Sequence, residues 1–179
     1  INNNVRTGTA IVTVIDTVKP VAIAQNITVQ LNASGSATIT GAQVNNNSTD
    51  ACGINTSLLS VAPNTFTCSN IGANSVVLTV TDVNGNISTA NAIVTVADTV
   101  RPVVITKNIT VQLNASGSAT ITGAQVNNNS TDACGINTSL LSVSPSSFTC
   151  SNVGSNSVTL TVTDVNGNVK TGIATVTVQ

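Results

Sequence analysis

The sequence contains no Glu, His, Tyr, Trp or Met, and its only aromatic residues are Phe66 and Phe148. Acid–base catalysis draws on His, Glu, Asp, Lys and Tyr, so the aspartates would have to do nearly all such work here. Paired aspartates could in principle serve glycoside hydrolysis. With so narrow a range of titratable groups, however, the sequence predicts that the chain is not an enzyme.

Charge is also scarce, since five Lys and Arg and six acidic residues give a net charge of −1. Binding of nucleic acid needs clustered basic residues and usually stacking aromatic side chains, and the sequence has neither. A membrane-spanning helix needs about 20 consecutive apolar residues, and the apolar runs here are far shorter. We therefore predict neither nucleic acid binding nor membrane insertion.

What the sequence does have is an internal repeat of 82 residues. Residues 16–97 align with residues 98–179 without a gap; 16 positions differ, which leaves 66 of 82 identical. Residues 1–15 match the end of the same unit. We therefore expect three parts: 1–15 as the last strand of a truncated preceding repeat, and two complete repeats at 16–97 and 98–179.

Within each repeat, β-branched residues alternate with polar ones, and no segment shows a sustained helical period. Strand-like runs flank the sequences Asn32–Gly35 and Asp82–Asn86, which predicts two hairpins. The Asn-rich stretch from Gly41 to Gly53 is predicted to be a long loop with at most one helical turn. The pattern is typical of an all-β, antiparallel β-sandwich with Thr on its outer face.

The connection between the repeats is short and contains no Gly. In the stretch Ala97–Pro102, Pro102 fixes its own φ and biases Arg101 towards an extended backbone. We therefore expect tandem sandwiches that follow one another as a stiff rod, with neighbouring repeats of the same chain as their first partners.

Each repeat contains two cysteines at the same spacing. Pairing within a repeat, Cys52 with Cys68 and Cys134 with Cys150, is the simplest connectivity. Two Cys without His cannot complete a zinc site, so the alternative is free buried thiols. A disulfide in each repeat would indicate an oxidising, extracellular location.

The six acidic residues are all Asp, at three positions that occur in both repeats. If the chain enters a sandwich at one end and leaves at the other, the start, the Asn-rich loop and the last hairpin turn all lie at the entry end. Like charges held close together need a compensating cation, and Ca²⁺ prefers carboxylate, amide and carbonyl oxygens. We therefore predict calcium as a cofactor, bound by Asp16, Asp50, Asp82, Asn84 and Asn86 in one repeat and by Asp98, Asp132, Asp164, Asn166 and Asn168 in the next.

The competing interpretation is purely structural. Asp-Val-Asn-Gly-Asn, the sequence from Asp82 to Asn86, is also a favourable turn. Asp50 could likewise act only by accepting hydrogen bonds from nearby backbone N–H groups. Both interpretations stay open at the level of sequence.

The stretch from Phe66 to Asn86, which begins Phe-Thr-Cys-Ser-Asn-Ile-Gly, and the opening Asp-Thr-Val-Arg-Pro at Asp98 resemble the hyalin-repeat (HYR) family. The resemblance implies immunoglobulin-like or fibronectin-III-like extracellular domains associated with adhesion. The Asp-Ala-Cys-Gly-Ile element at Asp50, in near-identical tandem copies, is similar to repeats of giant surface adhesins of gliding bacteria. One departure is that the cysteine placement differs from the usual placement in that family.

These observations favour a spacer in the stalk of a bacterial cell-surface adhesin filament used in adhesion or gliding motility. The alternative is that the repeat is itself an adhesive module that binds surface polysaccharide or a protein partner. Carbohydrate-binding surfaces usually use Trp or Tyr, and this chain has neither.

Overall fold

The computed structural model describes residues 2–179, and most of its regular elements are short β-strands. The strands of the first repeat are β1 (Ile27–Gln30), β2 (Ser36–Thr38), β3 (Ser60–Ala62), β4 (Thr65–Thr67), β5 (Gly72–Thr81) and β6 (Ile87–Ala97). Those of the second are β7 (Ile109–Val111), β8 (Ser118–Thr120), β9 (Ser142–Ser144), β10 (Ser147–Thr149), β11 (Gly154–Thr163) and β12 (Val169–Val178). The helices are α1 (Gly41–Val44) and α2 (Gly123–Val126), with 3₁₀ turns at Thr56–Leu58, Cys68–Asn70, Thr138–Leu140 and Cys150–Asn152.

Each repeat contains one four-stranded and one two-stranded sheet. The orders are β1-β6-β5-β3 with β2-β4 in the first repeat, and β7-β12-β11-β9 with β8-β10 in the second. The predicted all-β, sandwich-like class is confirmed. One detail differs from a purely antiparallel arrangement: β7 and β12 pair in parallel. They are the first and last strands of the repeat and both run from its entry towards its exit.

The core is built from the alternation predicted for the strands. In β11, Val158, Leu160 and Val162 are buried, whereas Thr159 between them is exposed. Phe148 from β10 packs into the same core. Because these alternate residues are buried and Thr lies outside, the sheet has one apolar face towards the core and one polar face towards solvent.

The last two strands of each repeat form the long hairpin that the sequence predicts. In the second repeat, β11 and β12 pair from Gly154↔Val178 to Thr163↔Val169. Residues Asp164–Asn168 make the connecting turn, in which Gly167 has a φ of 91°. Gly adopts this left-handed backbone conformation more readily than other residues, which explains the Asn-Gly sequence in the turn.

The other predicted hairpin is a turn without a hairpin ladder. The turn at Asn32–Gly35 forms, since the Gly35 N–H donates to the Asn32 carbonyl oxygen at 2.8 Å. Its flanking strands, however, belong to different sheets, because β2 pairs with β4 through Ala37↔Phe66. The turn therefore carries the chain from one sheet to the other.

Residues 1–15 are predicted to be the last strand of a truncated preceding repeat, and the described residues 2–15 lie in no strand of this structure. Ile11 is 97 % exposed and Val14 is 90 % exposed. The matching segment of the next copy lies in β6, which has β1 and β5 as neighbours. A strand needs such neighbours for its backbone N–H and C=O groups, and residues 2–15 have none in this chain.

The chain divides into two compact units whose boundaries cut across the first repeat. One unit contains residues 1–27, 40–63 and 75–93, and the other contains 28–39, 64–74 and 94–179. The end of the first repeat that holds the Asn32–Gly35 and Cys68–Asn70 turns thus belongs to the same unit as the whole second repeat. We call this end the tip, and the corresponding tip of the second repeat holds Asn114–Gly117 and Cys150–Asn152. No helix in residues 2–179 is long and apolar enough to cross a membrane.

Candidate functional site

A disulfide bond joins the tip of the first repeat to the second repeat. It links Cys68 with Cys134, whose Cα atoms lie 5.3 Å apart and whose positions are 66 residues apart in sequence. The predicted pairings within repeats, Cys52 with Cys68 and Cys134 with Cys150, are therefore wrong. Cys52 and Cys150 are exposed free thiols.

Pairing within a repeat fails because its two cysteines lie at opposite ends of the sandwich. In the second repeat, Ile136 forms a bridge with Asp164 just after the end of β11, and Cys150 lies just before the start of that strand. Cys134 is two residues from Ile136. Ten residues of strand span about 30 Å, whereas a disulfide needs Cα atoms roughly 4.4–6.8 Å apart.

The end opposite the tip is the base of the repeat, and in the second repeat it holds Asp98, Asp132 and Cys134. The tip of the first repeat lies directly against it. A Cβ atom placed on Gly35 would lie 2.8 Å from the Cys68 Sγ and 3.1 Å from the Cβ of Ala133. Gly35 also has a φ of +71°, a conformation that favours glycine. Gly35 therefore permits both the turn and the close approach of the base.

At the base, two carboxylates meet beside the bonded cysteine. One ligand atom from each of Asp98, Asp132 and Cys134 lies within 4.8 Å of the others. The Cys134 sulfur is committed to the disulfide, so the two carboxylates are the groups that could bind a cation. The first repeat has the same arrangement of Asp16, Asp50 and Cys52.

The Asp98 carboxylate is the most unusual group at this base. Asp98 is only 9 % exposed, and its Oδ1 accepts a hydrogen bond from the Val100 N–H at 3.0 Å. Its Oδ2 is buried, with no hydrogen-bond partner among the described residues. A buried anionic oxygen without a partner is costly. A divalent cation between Asp98 and Asp132 would remove that cost, and oxygen ligands are those that Ca²⁺ prefers.

The third predicted carboxylate is used differently. Asp164 is buried, and its Oδ1 accepts the N–H groups of Asn166 and Asn168, both at 2.8 Å. Its Oδ2 accepts the Asn168 Nδ2–H at 2.8 Å. Asp164 thus holds its own turn together and is not in the group with Asp98 and Asp132.

The turn nevertheless contacts the base, because the Asn168 Nδ2–H also donates to the Asp98 carbonyl oxygen at 3.3 Å. The first repeat repeats this pattern, with Asp82 bonded to Asn84 and Asn86 and Asn86 donating to Asp16. The structure therefore brings Asp16 to Asp50 and Asp98 to Asp132. It places the predicted ligands of the last turn next to these pairs, where their hydrogen bonds are internal to the turn.

Two groups in the first repeat have shifted pKa values. Burial alone would raise the pKa of Asp82, but hydrogen bonds from the Asn86 side chain and from backbone N–H groups of the turn outweigh it and lower the pKa. Asp16 is the main cause of a raised pKa at Cys52, because a nearby carboxylate favours the neutral thiol; Asp50 and Asp82 add to the effect. The base is thus an anionic environment.

Comparisons with known proteins place the chain in no family. No family model matches it, and no curated protein sequence matches it. Among solved structures, human protocadherin-24 EC1-2 covers 91 % of this chain and 99 % of its own, with 12 % identity and a TM-score of 0.42. Human mucin-like protocadherin EC1-2 covers 88 % and 97 %, with 14 % identity and a TM-score of 0.37. DIP-gamma IG1+IG2 covers 90 % and 98 %, with 11 % identity and a TM-score of 0.35. At these TM-scores the likeness adds nothing to the fold derived from the strands.

Proposed function

We propose that the chain is a structural spacer from the stalk of an extracellular adhesive filament, and that its function is to set length and stiffness. The observation that carries the proposal is the bond between Cys68 and Cys134, which fastens the tip of one repeat to the base of the next. A bond at that position restrains bending between successive repeats. An enzyme or a single binding domain has no evident need of such a fastening.

Calcium at the base is the second part of the proposal. Asp98 and Asp132 supply the carboxylates, and the buried Oδ2 of Asp98 supports a cation there. The ion would add a non-covalent fastening beside the disulfide. Asp16 and Asp50 would form the equivalent site in the first repeat, where the base is more exposed.

The disulfide and the resemblance in sequence support an extracellular location for the chain. Disulfides persist in oxidising compartments, which favours an extracellular location. The similarity of Asp-Ala-Cys-Gly-Ile and Phe-Thr-Cys to the repeats of gliding-bacterium adhesins favours a bacterial cell surface. The partners are then the neighbouring repeats, and contact with surface polysaccharide would be made elsewhere in such an adhesin.

Small-angle X-ray scattering on chains with two, three and four repeats tests the spacer. Each added copy should lengthen the maximum dimension by the same increment, about 35 Å for a strand of ten to eleven residues. Reduction of the disulfide should broaden the distance distribution by increasing bending. A dimension that does not grow in equal steps, or selective binding of the two-repeat chain on a glycan array, would instead favour an adhesive module.

Calcium is tested by thermal unfolding and calorimetric titration of wild type and of Asp98→Asn. The Asn side chain keeps an oxygen for the Val100 N–H but removes the buried negative charge. In chelator, the variant should therefore be at least as stable as wild type. In calcium, only wild type should gain stability at this base, by about 2.7 kcal/mol at 100 times the Kd.

The matched control is Asp16→Asn, which changes the more exposed base and should leave the gain at Asp98 in place. Magnesium is the second control, because it demands a stricter octahedral geometry than calcium. Equal melting curves for wild type in chelator and in millimolar calcium, with no heat of binding, would overturn the calcium part and leave the spacer untouched.

A further inference from the structure

The two free thiols occupy the same positions as the two bonded cysteines, one repeat away. Cys150 is the copy of Cys68 and Cys52 is the copy of Cys134, each displaced by 82 residues. The chain thus contains one complete tip-to-base disulfide and two unpaired halves of it. The local structure of each half shows whether it is prepared for the same bond.

The tip half is preserved at Cys150. The Sγ of Cys150 lies 3.8 Å from the Gly117 carbonyl oxygen, as the Sγ of Cys68 lies 3.8 Å from that of Gly35. Gly117 has the same φ of +71° as Gly35, and a Cβ on either glycine would lie 2.8 Å from the neighbouring sulfur. Cys150 thus has the geometry of the bonded cysteine without its partner.

The base half is preserved at Cys52. The Cys52 N–H donates to the Asp50 Oδ1 at 2.8 Å, and the Cys134 N–H donates to the Asp132 Oδ1 at 2.8 Å. The next residue is a glycine with a φ of +108° in both repeats. The backbone that presents Cys134 to a tip therefore also presents Cys52.

The surface around Cys150 is the same surface that the second repeat covers at Cys68. Leu31 is 3 % exposed and Ala37 is 9 % exposed at the covered tip. Their copies at the other tip, Leu113 and Ala119, are only half-buried. Residues 26–61 and 108–143 are identical in sequence, so the difference lies in what surrounds these side chains and not in the side chains themselves.

We propose that Cys150 and Cys52 each form a disulfide bond with a further copy of this repeat. Successive repeats are then joined by one tip-to-base disulfide at each boundary, and we call this series of bonds the disulfide ladder. Cys150 bonds the cysteine of an Asp-Ala-Cys-Gly-Ile element at the base of the copy that follows. Cys52 bonds the cysteine of a Phe-Thr-Cys element at the tip of the copy that precedes. The inference rests on the spacer function and extends it, since every boundary in the array then carries one covalent bond.

The bond forms by thiol–disulfide exchange with a low-molecular-weight disulfide such as oxidised glutathione. One protein thiolate attacks a glutathione sulfur and releases one reduced glutathione, which leaves a mixed disulfide. The second protein thiolate attacks the protein sulfur of that mixed disulfide and releases another. Two protein thiols and one oxidised glutathione thus give one protein disulfide and two reduced glutathiones, which accept the two protons.

The test adds one repeat to the whole chain. A copy of residues 98–179 is joined directly after Gln179, with its second cysteine replaced by Ser so that no unpaired tip remains. The protein is folded in a glutathione buffer, denatured without reduction, and labelled with a maleimide. The ladder leaves only Cys52 to react, so the intact mass should show one label. Without the ladder Cys150 and the first cysteine of the added copy also react, which gives three.

Chymotrypsin then locates the bond, because cleavage after Phe148 separates Cys150 from Cys134. The tip sequences Thr-Cys-Ser-Asn-Val at Cys150 and Thr-Cys-Ser-Asn-Ile at Cys68 are distinguished by mass. The Cys150 peptide should be joined to a base peptide. The matched variant Cys150→Ser should show two labels and lose that joined peptide while keeping the Cys68 bond.

Three labels, or a Cys150 peptide joined only to glutathione, would overturn the ladder. Small-angle scattering measures how much longer the extended chain is than the two-repeat chain, and this measurement does not depend on labelling the thiols. A gain of about 35 Å in maximum dimension with a free Cys150 would reject the ladder and keep the spacer, whereas a clearly smaller gain would reject the spacer itself.

Discussion

The two tips of this chain have the same core sequence and different surroundings. At the first tip, Gly35 is buried and Cys68 is bonded, with Ala133 of the second repeat against the turn. At the second tip, Gly117 is half-buried and Cys150 is an exposed thiol. The tip is therefore a surface completed by a neighbouring repeat and not by its own residues.

The bases show the complementary difference. Asp98 lies at a base that faces a tip and is 9 % exposed, and its copy Asp16 is more exposed. Cys134 is half-buried, whereas Cys52 is exposed. The Oδ2 atoms of both Asp16 and Asp98 are nevertheless buried without a hydrogen-bond partner among the described residues. A buried anionic oxygen without a partner is unfavourable, so the need for a cation is a feature of each base and does not depend on the tip that faces Asp98.

The largest effect is expected from removing the bonded cysteine. Cys68→Ser opens a loop of 66 residues, and the chain-entropy model gives a loss of about 4 kcal/mol in the free energy of unfolding. Cys150→Ser removes an exposed thiol and should change that free energy by less than about 0.5 kcal/mol. Urea unfolding under non-reducing conditions compares the two variants.

Cys134→Ser serves as the control, since it breaks the same bond from the other side and should match Cys68→Ser. With reductant present, wild type and Cys68→Ser should unfold at nearly the same urea concentration. If Cys150→Ser were as destabilising as Cys68→Ser, the two tips would not differ as described.

The next effect concerns packing at the two tips. Leu31→Ala removes a side chain that is 3 % exposed and should cost about 2–5 kcal/mol, as for other buried Leu residues. Leu113 is half-buried, so Leu113→Ala should cost clearly less. Urea unfolding of both variants measures the contrast.

Adding a further repeat after Gln179 sharpens this prediction, because the second tip would then be covered. The cost of Leu113→Ala should rise towards that of Leu31→Ala in the longer chain. An unchanged difference would mean that the burial of Leu31 does not depend on the neighbouring repeat.

Much of one repeat could be predicted from sequence because its signals are local. Alternation of Val158, Leu160 and Val162 with Thr requires only the period of two residues per strand, and the Asn-Gly sequence in Asp164–Asn168 requires only a left-handed residue. The Asn-rich stretch is predicted to be a loop with at most one helical turn, and α1 (Gly41–Val44) is the one short helix within it. Such features do not depend on what lies beside them.

The spacing of the cysteines in sequence could not predict the disulfide, because the number of residues between two cysteines does not give the distance between their Cα atoms. Between Cys134 and Cys150 the chain passes through β9 and β10 along the length of the repeat. The argument that places Asp132 at the base also places Cys134 there, since the two are neighbours in sequence. Cys150 begins the 3₁₀ turn that precedes β11, at the other end of the repeat. The order of the strands therefore indicates pairing with a cysteine of a different repeat.

The order of the strands predicts only part of the arrangement of the carboxylates. The path of the strands brings Asp98 and Asp132 together. It does not show that Asp164 accepts three hydrogen bonds within its own turn. That choice depends on side-chain geometry over a few ångströms, which a strand pattern does not contain.

A smaller effect is expected where the two repeats differ in sequence. Gly172, Val104 and Thr106 replace Ala90, Ala22 and Ala24 of the first repeat. A Cβ on Gly172 would lie 2.7 Å from the Val104 Cγ1 and 3.1 Å from the Thr106 Cγ2. The side chains of Val104 and Thr106, which are larger than Ala, therefore fit because Gly172 lacks the methyl group that Ala90 has in the first repeat.

Gly172→Ala should therefore destabilise the second repeat by about 1–3 kcal/mol, as overpacking does in other proteins. Val104 is stiff at χ1 and cannot easily move aside. The double variant Gly172→Ala with Val104→Ala restores two of the three alanines of the first repeat and should recover most of the loss. Urea unfolding of both single variants and the double variant gives the coupling energy, expected at about 0.5–3 kcal/mol for residues in contact. Strict additivity of the two single changes would show that the residues at positions 172 and 104 are not coupled by packing.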